Sequence, residues 1–86
     1  MDKKFDLKRN DMESHNIKIK TEFIKLQDAM KYANIVYSGG EAKQLILDGM
    51  VSVNGEVCTM RGKKLYPGDT FAFDGQSYLV CIHAAE

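Results

Sequence analysis

Long apolar runs are missing from this 86-residue chain, and a membrane-spanning helix, which needs about 18 consecutive apolar residues, is excluded with them. The first residues, Met1-Asp2-Lys3-Lys4-Phe5-Asp6, lack the apolar core of a secretion signal, so the expected location is the cytoplasm. Cysteine is scarce: Cys58 and Cys81 are too few and too far apart for a C-x-x-C metal pair, and in a reducing compartment each reads as a small core hydrophobe. His15 and His83 have no serine or carboxylate spacing that suggests a triad or a zinc site. No cofactor or metal is therefore expected. No internal repeat or linker occurs, and a catalytic domain of about 100–150 residues would not fit beside one small domain in this length. Hydrophobic content of 44% and charged content of 28% describe an ordinary globular protein.

What is present is concentrated between Ser38 and Gly55. Ser38 and Glu41 have the S-x-x-E spacing of a capping box, in which both side chains satisfy backbone donors that a new helix leaves unpaired. Ala42, Leu45, Ile46 and Gly49 follow at i, i+3, i+4 and i+7, which is a buried stripe ending at a natural left-handed stop. Val51 and Val53 then alternate with Ser52 as a half-buried strand, and Asn54-Gly55 supplies a hairpin turn.

On either side the pattern is plainer. Met1 to Asn16 is polar, without helical or strand period, and reads as a flexible tail. Ile17-Lys18-Ile19-Lys20 alternates as a short strand, and Thr21 is placed to cap a helix of about three turns carrying Phe23, Leu26, Met30 and Ala33 on one face. Beyond the hairpin, Glu56 to Thr59 reads as a returning strand and Met60 to Lys64 as a basic loop. Tyr66-Pro67-Gly68-Asp69 is a turn, and Thr70 to Phe73 and Gln76 to Ile82 are strands flanking Asp74-Gly75. The expected architecture is α+β, a two-helix pair packed on one face of a small, twisted, mostly antiparallel sheet.

The order Lys25-Leu26-Gln27, Ser38 to Ile46, Gly49-Met50-Val51-Ser52-Val53-Asn54-Gly55 and Pro67-Gly68-Asp69 resembles the S4 domain, a small RNA-binding module. Family members typically show Arg-Leu-Asp, then Ser-Arg-x-x-Ala-Arg-x-x-Ile, Gly-x-Val-x-Val-Asn-Gly and Pro-Gly-Asp at these places. The likeness spans roughly Lys25 to Phe73, and the glycine pair Gly39-Gly40 is its main departure. It implies an S4-like (alpha-L) fold over residues 17–86, standing alone after the tail of residues 1–16, and a nucleic-acid-binding function without enzymatic activity. The implied partner is structured RNA, either ribosomal or transfer RNA, and a monomer is expected.

In the family, the two helices and an adjoining loop form the RNA face. Lys25 and Lys43 occupy arginine positions of that face and would meet phosphates as point charges; Lys31 and Gln44 are supplementary positions. Ser38, Gly39 and Gly40 place backbone amides at a helix N-terminus, where an anion can approach, or else let the chain turn sharply into the helix. Arg61, Lys63 and Lys64 form the densest basic cluster, on a loop where three cations can converge on one strand of phosphates. Asn54 reads first as turn chemistry and second as a polar contact.

Charge argues in the other direction. Residues 21–86 carry six basic and eight acidic side chains, a net charge of −2, whereas nucleic-acid modules are usually basic. Gly39, Met50, Ser52 and Glu56 stand where the family is often basic. A protein-interaction module on the same fold, using Tyr32, Tyr37 or Met50, is accordingly the alternative reading. Neither an aromatic ladder nor a set of base-reading side chains is evident.

Overall fold

Local turn chemistry and alternating burial account for most of the architecture. In the computed structural model, which describes residues 13–83, the elements are β1 (Glu13–Ile19), β2 (Ile24–Lys25), α1 (Leu26–Tyr32), α2 (Gly39–Leu47), β3 (Val51–Val53), β4 (Glu56–Val57), β5 (Lys64–Leu65), β6 (Thr70–Phe73) and β7 (Gln76–Ile82). Five strands form one sheet in the order β1-β7-β6-β3-β4, and β2 and β5 form a separate two-stranded ribbon. Asn54 and Gly55 (φ 50° and 88°) close the β3–β4 hairpin in the doubly left-handed turn that suits twisted strands, and Asp74-Gly75 closes β6–β7 the same way.

Helix α2 begins and ends as its sequence dictates. Ser38 is its N-cap, and its Oγ accepts a hydrogen bond from the Glu41 N–H at 3.2 Å. At the other end Gly49, at φ 76°, donates to the Ile46 carbonyl while Met50 donates to Leu45, the paired bonds that terminate a helix on a left-handed glycine. Ala42 and Ile46 are buried and Leu45 packs partly against them.

Three expectations need correction. The sheet is mixed, because β1 lies parallel to β7 over the full register from Glu13↔Gln76 to Ile19↔Ile82. Alternation reveals which side of a strand is buried, but not which distant strand will pair with it. Second, β1 starts at Glu13, so Ser14, His15 and Asn16 are strand residues; the rest of the expected tail, residues 1–12, lies outside the described residues. These three side chains are exposed and show no apolar alternation, although the His15 ring stacks on Tyr78 with centroids 5.0 Å apart. Third, α1 is only seven residues long and starts at Leu26. Ile24 and Lys25 instead pair with Leu65 and Lys64, and Thr21 donates to the Phe23 carbonyl without capping the helix.

One core joins both layers. Leu26, Ala29 and Met30 of α1, Ala42 and Ile46 of α2, and Leu65 of β5 pack with Ile17, Ile19, Val51, Val53, Phe71, Tyr78 and Val80 from the sheet. Cys58 and Cys81 are free thiols and half-buried, so neither is a full core residue. Among the described residues no helix is long and apolar enough to cross a membrane.

Candidate functional site

The basic loop is tied to the start of α1 by its own carbonyls. The first amides of a helix have no partner inside it; here Leu26 N–H donates to the Lys63 carbonyl at 2.8 Å and Gln27 N–H to the Arg61 carbonyl at 3.1 Å. Beside these bonds, the β2–β5 register sets Lys25 directly opposite Lys64. Lys25, Arg61, Lys63 and Lys64 are thus gathered at one place, all exposed. Like charges facing each other across two antiparallel strands are destabilising. Lys64 finds partial relief over the Phe23 ring, with Nζ 4.8 Å from the centroid, a contact typically worth about 0.5–1 kcal/mol at an exposed site.

The start of α2 is a second cluster. Glu41 donates its N–H to Ser38 and accepts the Tyr37 N–H on Oε1 at 2.6 Å, so the box closes one residue earlier than the usual reciprocal form. Neither Gly39 nor Gly40 has a positive φ, and a Cβ would meet nothing within 4 Å at Gly39 and only Ser38 Oγ at 3.8 Å at Gly40. The backbone does not need glycine to turn into this helix. Gly39→Ala is therefore expected to stabilise the protein by about 0.5–1 kcal/mol, measured as a shift in urea midpoint. Lys43 stands exposed on α2, and Gln44 is occupied with Asp48, Nε2 to Oδ1 at 3.0 Å.

Among the described residues, the side chains of Lys31 and Asn54 bond to neither cluster. Lys31, in the last turn of α1, is paired with Asp28 at 3.4 Å. Asn54 is engaged in holding its hairpin to the sheet: Oδ1 accepts the Thr70 N–H at 3.0 Å, and Nδ2 reaches Asp69 at 3.3 Å. Asn54 and Lys63 both line one open cleft of about 330 Å³. Among the described residues no three His, Cys, Asp or Glu side chains are placed to hold a metal ion.

Four of the eight acidic side chains of residues 21–86 have local partners. Asp28 holds Lys31, Glu41 caps α2, Asp48 holds Gln44, and Asp69 accepts the Tyr66 N–H at 2.8 Å within the Pro67-Gly68 turn. Lys25, Lys43, Arg61, Lys63 and Lys64 have no ion-pair partner among the described residues. The S-x-x-E spacing and the Pro-Gly-Asp turn were the available signs that Glu41 and Asp69 have backbone duties. Phe23 and Tyr66, whose rings lie 5.7 Å apart beside Lys64, were not singled out for the site from sequence, because residues 43 apart meet only through the β2–β5 ribbon.

Comparison with known proteins adds three findings. A family model described as the S4 domain matches residues 17–81. A curated protein of Bacillus subtilis (strain 168), named probable ribosome maturation protein RlbA, is 42% identical over 59 residues, 69% of this chain and 83% of the relative. The solution structure of YbcJ from E. coli, described as revealing an αL motif involved in RNA binding, superposes with a TM-score of 0.60 at 29% identity, covering 92% of this chain and 99% of YbcJ.

Proposed function

The chain belongs to the S4 domain family, and from that premise we propose that it is a non-enzymatic module that binds structured RNA through the cations gathered at the start of α1. The observation that carries this reading is the opposition of Lys25 and Lys64, with the Arg61 and Lys63 carbonyls bonded to the first helical amides. Such an arrangement is unfavourable by itself and is relieved by an anion between the two ammonium groups. A phosphate chain following the exposed surface would meet Lys25, Arg61, Lys63 and Lys64 in turn, with Lys43 and the amides of Ser38, Gly39 and Gly40 as a second group of contacts. Lys31, Gln44 and Asn54, already bonded within the protein, contribute less. The binding unit is the single domain of residues 17–86 together with the front of β1. Ribosomal RNA is the first candidate, on the strength of the name of the Bacillus relative, and transfer RNA the second.

A protein partner has one observation in its favour. Tyr37 is 89% exposed, and Met50, Val57 and Met60 are all more than half exposed. The test is fluorescence anisotropy with a labelled ribosomal RNA stem-loop and a DNA duplex of equal length across a salt series. Preference for the RNA with a steep, linear fall in log affinity against log salt is expected. Equal binding to both overturns the preference for structured RNA, and no binding to either at low salt overturns the RNA reading in favour of a protein partner.

A further inference from the structure

We infer that Tyr66, braced by Phe23, is a stacking site for one unpaired RNA base next to the Lys64 phosphate contact; the inference rests on the RNA-binding reading above. Lys64 and Tyr66 flank Leu65, which is wholly buried, and both are exposed. The contacts agree with this. Phe23 touches both neighbours, with the Lys64 Nζ 4.8 Å from its ring centroid and the Tyr66 ring 5.7 Å away at an interplanar angle of 51°. Phe23 is half-buried and one face of its ring is taken by the ammonium, so it is not itself a free platform.

Tyr66 is different. It is 42% exposed, and its tilted contact with Phe23 leaves ring surface to solvent. Its backbone is fixed on both sides, the N–H donating to Asp69 Oδ2 at 2.8 Å and the carbonyl accepting the Asp69 N–H at 2.8 Å. A rigid aromatic ring carried beside a cation is the pairing that single-stranded nucleic acid uses, with the phosphate on the charge and the base on the ring. A base inside a helix is stacked on its neighbours and has no face to offer, so the ligand is a bulged, looped or terminal nucleotide. Stacking on tyrosine does not select a particular base.

The experiment compares a labelled RNA hairpin carrying one bulged nucleotide with the same helix fully paired. Tyr66→Leu, which keeps apolar bulk at an exposed position, is expected to weaken binding of the bulged RNA about tenfold and to leave the paired RNA and the salt slope unchanged. Tyr66→Trp supplies a second readout, since the chain has no tryptophan of its own. Its fluorescence should be quenched by the bulged RNA and not by the paired one. If Tyr66→Leu weakens both RNAs alike or neither, or if the indole is unquenched, while Lys64→Gln still weakens both, the stacking site is wrong and the phosphate reading stands. If Lys64→Gln is also without effect, both fall together.

Discussion

Replacing Arg61, Lys63 and Lys64 together with glutamine is expected to lower affinity for structured RNA by about two to three decades near 0.1 M salt. Each phosphate neutralised by a cation contributes roughly 0.7–0.9 to the slope of log affinity against log salt, so losing three contacts flattens that slope by about 2–3. The substitution is a clean test because the loop is held by its backbone. The Lys63 and Arg61 carbonyls still receive the Leu26 and Gln27 amides whatever side chains the loop carries. Thermal stability should change little, since relief of the Lys25–Lys64 opposition is offset by loss of the Lys64 contact with the Phe23 ring. Lys18→Gln, at an exposed position of β1, serves as the control and should leave affinity nearly unchanged. Reduced affinity with an unaltered salt slope would show that the three side chains act by shaping the surface, and would remove the phosphate contacts from the proposal.

The parts of this protein that were legible in its sequence are those that local chemistry decides. Ser38, Glu41, Gly49, Asn54 and Gly55 act within a few residues of themselves, and helix α2 and the β3–β4 hairpin follow from them almost residue for residue. The strands β6 and β7 were legible for the same reason. What could not be read depends on pairing at long range. β1 meets β7 across more than sixty residues, and its front, Ser14 to Asn16, carries no apolar alternation to announce it. The ribbon of β2 and β5 has two residues in each strand, too short for any periodicity, yet it shortens α1, sets Lys25 against Lys64 and brings Phe23 to Tyr66. The cluster of Arg61, Lys63 and Lys64 could be named from sequence, but its meeting with Lys25 is a product of that ribbon. Net charge, for its part, says nothing of where on the surface the cations lie.

Phe71→Ala is expected to destabilise the protein by about 3–5 kcal/mol, a large part of the 5–15 kcal/mol available to a small domain. Phe71 is 1% exposed and sits in β6 between two neighbours, opposite Val53 on β3 and Tyr78 on β7. Its ring stacks on Tyr78 at 4.7 Å and 12°, and Tyr78 stacks in turn on His15, so truncation opens a cavity and removes the inner ring of that series. Phe71→Leu, which retains most of the volume, should cost about 1.5 kcal/mol or less. Urea unfolding would show both as shifts in midpoint at constant slope. The consequence for RNA binding separates stability from recognition. Leu26 and Leu65, which carry the start of α1 and the β2–β5 ribbon, belong to the same core as Phe71, so the basic cluster exists only in the folded fraction. RNA that binds the folded state alone restores about 2.7 kcal/mol at a hundred times its dissociation constant. Phe71→Ala should therefore recover its urea midpoint in large part when RNA is added, whereas the triple glutamine variant, folded from the outset, should gain little from the same RNA concentration.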